Sequence, residues 1–280
     1  MKNILIPTDF SENSWNALKY ALKLYKKTRC SFHLLHVSNV HTFIGGEVPA
    51  IPSSTIVMEK DVRVDTKNKL KSLVSKIDQE YLNIKHSFIT HAEYGFLIDA
   101  IKFNVEEYKI DIIVMGTKGA SGLKEVIIGS NTGDVITRVK CPILVVPEEA
   151  TFIKPREIAF PTDYNQNFSS KILDTLLNVA RIHESSIRIV HIRKREDCLT
   201  DEQEKNKGIL HDYFKDHDHS FHSITSNRLE VALQYFTESG NIDMISMVAK
   251  NLNFFQQILF KPTVEDISYH IKLPFLVLHE

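Results

Sequence analysis

IDIIVMGTKGASGLKEVIIGSN, residues 110–131, passes from a short β-branched block straight into spaced glycines and ends on small polar residues. The block is too short for a typical helix, and its composition suits a strand covered on both faces. Each glycine costs backbone entropy. Their recurrence after a strand therefore points to positive φ angles or to a ligand that must approach the main chain. Gly129, Ser130 and Asn131 lead into a helical pattern near 134–139, with Val135, Ile136 and Val139 on one side. A helix start offers unpaired N–H groups and the positive end of a dipole, which favour a phosphate, and Ser130 adds a hydroxyl donor. Asn131 also reads as an ordinary N-cap.

Outward from this stretch, strand-like and helix-like segments alternate. The strand ILIPT is followed by a helix presenting Trp15, Leu18, Leu22 and Tyr25, with Ser11 as its candidate N-cap. Next come the strand SFHLLHV and a helix with Leu70, Leu73, Val74, Ile77 and Tyr81 at helical spacing. The strand HSFIT, a helix with Ile98, Ile101, Val105 and Tyr108, the opening stretch and the strand PILVV complete a βαβαβαβαβ order. This alternation predicts an α/β fold, a doubly wound parallel sheet with helices on both faces. HTFIGGEVPAIPSST, residues 41–55, interrupts the alternation and reads as a long loop over the carboxyl ends of the strands, either a lid or an excursion.

The unit occurs twice. ILIPTDF at 4–10 returns as IAFPTDY at 158–164, a shift of about 154, and SFHLLHV returns as SIRIVHI at 186–192. HSFIT at 86–90 matches HSFHS at 219–223 with a shift near 133, DIIVM matches DMISM, and CPILVVP matches LPFLVLH. The expected domains are 1–148 and 149–280, and a chain of 280 residues with 43% hydrophobic content can bury both cores. The last strands of the two copies, one bounded by Pro142 and Pro147 and the other by Pro274 and His279, are apolar edges that should meet.

With 34 Lys+Arg against 35 Asp+Glu, the chain has no global field to recruit nucleic acid or an anionic membrane. Cys30, Cys141 and Cys198 form no CxxC pair, which fits a reducing cytoplasm better than a disulfide framework. Neither a signal peptide nor a membrane-length apolar run is present, so a soluble cytoplasmic protein is expected. No GxxxxGK[ST] loop occurs, nor GxGxxG after the first strand. His211, His217, His219 and His222 invite a metal reading, but their spacing matches no strong motif and a strand there would scatter them over two faces.

In open parallel sheets the ligand crevice lies beyond the carboxyl ends of the strands, where strand order reverses. Asp9 and the glycines both sit at such ends. Gly116, Gly119, Gly129, Ser130 and Asn131 complete the pattern G-x2-G-x9-G-[S/T]-N, and with the opening Pro-Thr-Asp the chain closely resembles the universal stress protein family, in particular a tandem member. The resemblance implies two five-stranded Rossmann-like sheets of order 3-2-1-4-5, arranged as a pseudo-dimer through the last strands, with a further homodimer left open. It also implies ATP or another adenine nucleotide, with magnesium as a candidate phosphate-bridging ion. Asp9 and the backbone around Pro7, Thr8 and Val37 would hold adenosine. Gly116 and Gly119 would let the chain wrap the ribose and phosphates, and Gly129, Ser130 and Asn131 would contact phosphate; beside them Met115, Thr117 and Lys118 are further candidate contacts, Thr117 as a donor and Lys118 as a charge for phosphate.

At a shift of 132 the second copy replaces the five motif residues by Val248, Asn251, Lys261, Pro262 and Thr263. Valine blocks close approach and Pro262 removes a donor, so one nucleotide per chain is expected, in the first copy. The resulting expectation is a stress-response regulator with at most slow hydrolysis. The alternatives are a true ATPase or phosphotransferase in the same crevice and a nucleotide-independent scaffold.

Overall fold

A computed structural model describes residues 1–38, 52–117, 129–165, 168–193, 198–249 and 273–279, with the side chains of 52–62 and of residue 230 excepted. In the first half, β1 (Lys2–Pro7), β2 (Cys30–Ser38), β3 (His86–Tyr94), β4 (Ile112–Gly116) and β5 (Ile143–Val146) alternate with α1 (Glu12–Leu24), α2 (Pro52–Tyr81), α3 (Leu97–Glu107) and α4 (Ser130–Arg138). In the second, β6 (Glu157–Thr162), β7 (Ser186–Arg193), β8 (His219–Thr225), β9 (Met244–Val248) and β10 (Phe275–Leu278) alternate with α5 (Ser170–His183), α6 (Asp201–Phe214) and α7 (Leu229–Ser239).

Ser11 caps α1 by accepting from the Ser14 N–H, and Trp15, Leu18, Leu22 and Tyr25 are all buried. Helix α2 starts at Pro52, inside the stretch read as a loop. Proline at the first helical position costs no hydrogen bond and presets φ, so the proline that suggested a loop opens a helix instead. Residues 41–51 of that stretch lie outside the described residues.

All ten strands form one sheet of order β3-β2-β1-β4-β5-β10-β9-β6-β7-β8. Each half has the order 3-2-1-4-5 with parallel neighbours. The halves join where β5 and β10 pair antiparallel, Leu144 opposite Leu276. The carboxyl ends of β1 and β4 therefore face one edge of the sheet and those of β6 and β9 the other. One continuous core holds Leu18, Phe32, Leu70, Leu173 and Leu210 under α1, α2, α5 and α6. The other holds Ile101, Ile136, Val145, Leu233 and Val277 under α3, α4 and α7. The segment that leaves β5 is tied back to α1: Asn16 Nδ2 donates to the carbonyls of Pro147, Glu148 and Ala150, and Tyr20 meets Phe152 edge-on.

The duplication is visible in the pairing. Gly116 lies opposite Val146 as Val248 lies opposite Leu278, both at a shift of 132. Asp111 accepts from the Asn3 N–H as Asp243 accepts from the Glu157 N–H. One sequence match is corrected. Phe32 pairs with Phe88 whereas its counterpart Ile187 pairs with His219, so β8 stands two residues out of step with the HSF alignment. An even slip keeps side chains on their own face, and Phe88 and Phe221 both pack on the same core.

Candidate functional site

β1 lies between β2 and β4 and is parallel to both, so the strand order reverses there, and its carboxyl end is the position at which open parallel sheets form a ligand crevice. Pro7 ends β1 buried, Thr8 is buried beyond it, and Asp9 is exposed at the tip. Thr8 is fixed by its N–H donating to Leu35 O at 2.8 Å and by Oγ1 lying 3.0 Å from Ser14 Oγ. Asp9 Oδ1 accepts from the N–H of Ser11 at 3.0 Å and from its hydroxyl, so the carboxylate is held at the start of α1.

Met115 is buried in the core, which leaves only its main chain to face the crevice. Val37, at the end of β2, packs partly buried against the same core. A side chain at Gly116 would place its first carbon 3.1 Å from Asn13 O, so α1 runs against the bare backbone of β4. The chain leaves β4 at Thr117, whose N–H donates to Val146 O, and returns at Gly129, whose N–H donates to Thr117 O at 2.6 Å. Thr132 Oγ1 donates to Gly116 O at 2.8 Å and ties α4 to the end of β4.

The N-cap of α4 is Gly129 and not Asn131, with extended backbone and no side-chain cap bond. The helix thus begins four residues before the expected 134, because Gly-Ser-Asn continues into helix and does not stop before it. Ser130 and Asn131 are exposed in its first turn, where main-chain N–H groups have no intrahelical acceptor. The first bond that closes the turn runs from the Gly133 N–H to Gly129 O.

The fold therefore gathers Pro7, Thr8, Asp9, Val37, Met115, Gly116, Thr117, Gly129, Ser130 and Asn131 at one carboxyl edge. Lys118 and Gly119 lie outside the described residues, as do Asn251, Lys261, Pro262 and Thr263 of the second copy. Chemically, the first turn of α4 offers main-chain N–H donors suited to an anion, and the Asp9 carboxylate offers an acceptor suited to a hydroxyl. Sequence reading missed Asn13, Ser14 and Thr132, whose contacts lie between elements and leave no local pattern. The ring nitrogen Nδ1 of His36, at the end of β2, lies 2.7 Å from Thr8 O.

Elsewhere, His33 Nδ1 lies 3.0 Å from His91 Nε2 in a parallel stack beside Tyr108. Burial, then the neighbouring His91, lowers His33 to about 4. His219 packs with His211 and Phe221, whereas His222 packs with Phe236 of α7. Among the described residues no group of three or more His, Cys, Asp or Glu could hold a metal ion, and no helix is long and apolar enough to cross a membrane.

The model of the Universal stress protein family matches residues 1–147. A universal stress protein of Methanocaldococcus jannaschii is 34% identical over 145 residues, which cover 52% of this chain and 81% of that protein. A second one from the same organism is 29% identical and covers 52% and 94% respectively. The crystal structure of a universal stress protein from Archaeoglobus fulgidus superposes on the whole length, with 99% of this chain and 98% of that one covered, a TM-score of 0.69 and 18% identity. That likeness concerns the fold.

Proposed function

Because the chain belongs to the universal stress protein family, we propose that its first half, residues 1–148, binds ATP or another adenine nucleotide and that occupancy tunes a cytoplasmic stress response. The observation that carries this reading is the convergence of the start of α4, whose N-cap is a glycine without a capping side chain, the bare Gly116 and the Asp9 turn at a single switch point. Main-chain N–H groups at a helix start suit the phosphates. The Asp9 carboxylate suits a ribose or base donor, and the missing side chain at Gly116 lets α1 pack against the end of β4 and so sets the two strand tips side by side. Magnesium, if bound with the nucleotide, would neutralise phosphate charge, and Asp9 is the carboxylate that would hold it. Residues 149–280 form the degenerate partner, since Val248 fills the position of Gly116 and is buried. Calorimetric titration of ATP into the full chain should give one site per chain. A stoichiometry near two, or no heat of binding with any adenine nucleotide, would overturn the reading.

A further inference from the structure

The turn after the first strand is built twice, and in each copy an imidazole from the neighbouring strand holds it. Phe10 has φ 62° and Tyr164 φ 58°, a left-handed conformation that L residues adopt only at a cost. The His36 ring packs tilted against Phe10 with centroids 4.6 Å apart, and His191 stacks on Tyr164 at 4.8 Å. Nδ1 of His36 is 2.7 Å from Thr8 O, and Nδ1 of His191 is 3.0 Å from Thr162 O. A carbonyl oxygen only accepts, so both rings carry a hydrogen on Nδ1. Within each turn the threonine Oγ1 accepts the N–H two residues on, at 3.1 and 3.0 Å.

We propose that His36 is a positioning residue for the ligand of the first half, acting through Thr8 and Phe10 to set the backbone that presents Asp9. Ring and donor act on the turn from β2, outside the segment they fix. Without them Thr8 O loses a hydrogen-bond donor and Phe10 loses the surface that holds it in a costly conformation. This inference rests on the nucleotide reading above. The second half contains its own control, because the same clasp survives where valine has replaced the strand-end glycine. There the turn is also braced by Gln203 Nε2 donating to Asp163 O at 2.9 Å and by Asn206 Nδ2 donating to Tyr164 O at 2.7 Å.

The test is calorimetric titration of ATP into the unaltered full chain and into His36→Ala, His36→Asn and His191→Ala, with thermal unfolding of each. His36→Ala should weaken ATP binding by about tenfold or more, the loss expected when a hydrogen bond and a ring contact that fix a site are removed together. His36→Asn, whose amide can donate to Thr8 O, should recover most of the affinity. His191→Ala should lower the melting temperature and leave the affinity within about twofold, since it touches no part of the binding edge. If His36→Ala does not fold, His36→Phe, which keeps a ring over Phe10 and deletes the donor, should still weaken binding. Unchanged affinity in the folded His36 variants, or an equal loss in His191→Ala, would overturn the positioning role and leave the nucleotide reading standing. Failure of the unaltered chain to bind ATP would overturn both.

Discussion

Gly116 shows what a single missing side chain does here. Its φ is not positive, and among the described residues only Gly95 is a glycine with positive φ. The contact that the missing side chain permits is with α1, which neither explanation read from the sequence anticipated, since an added carbon would meet Asn13 O at 3.1 Å. Gly116→Val should therefore force α1 away from β4, costing about 1–3 kcal/mol by overpacking, and should remove measurable ATP binding. Urea unfolding paired with ATP titration checks both effects, and a stable variant with intact affinity would count against the site. The residue types at the site were legible because glycine, serine and asparagine carry their chemistry in the chain itself. The supports were not, because Asn13 and Thr132 act across elements and resemble any other helical polar residue.

At the level of elements, the alternation of strands and helices could be read from periodicity, and the repeat could be read from Pro-Thr-Asp and the two late prolines. Two things could not. The start of α2 was hidden because proline signals both a loop and a first helical turn. The register of β8 was hidden because a chance HSF identity outweighed backbone pairing that no sequence displays. The β5–β10 joint was foreseen from two apolar edges, and Leu276 lies 1% exposed within it. Leu276→Asp places an unpaired charge at the seam and should cost about 3–5 kcal/mol or prevent folding. Leu276→Val should cost about 1 kcal/mol. Chemical denaturation of both variants tests whether the seam supports the whole sheet.

Across the whole molecule, several imidazoles are buried neutral. His33 is lowered to about 4 by burial and His91, and His279 to about 4 by burial and then by Lys171 and Lys140. His86, His91 and His183 are lowered as well, each chiefly by burial. A histidine whose folded value lies below its unfolded one takes up a proton more readily in the unfolded chain. Its contribution is intact above about 6.5 and is lost as pH falls toward the folded value. Stability in urea should therefore be level near pH 7.5 and decline steadily from about pH 6.5 to about pH 4. His279 Nε2 is buried with no hydrogen-bond partner among the described residues, so His279→Leu should flatten part of that slope without a large loss at pH 7.5. A slope unchanged in that variant would show that His279 is not one of the groups responsible.

The opposed direction of the two halves has a consequence for whatever molecule reads this protein. Had the copies been joined side by side in the same sense, both turn tips would lie on a common front. Joined head to tail, each rim sets one copy's turn tips beside the other copy's strand entrances, and the glycine motif lies on the rim of the first copy's tips. An observer approaching from that side meets the intact copy together with the underside of its altered twin, so the duplication gives the molecule a front and a back.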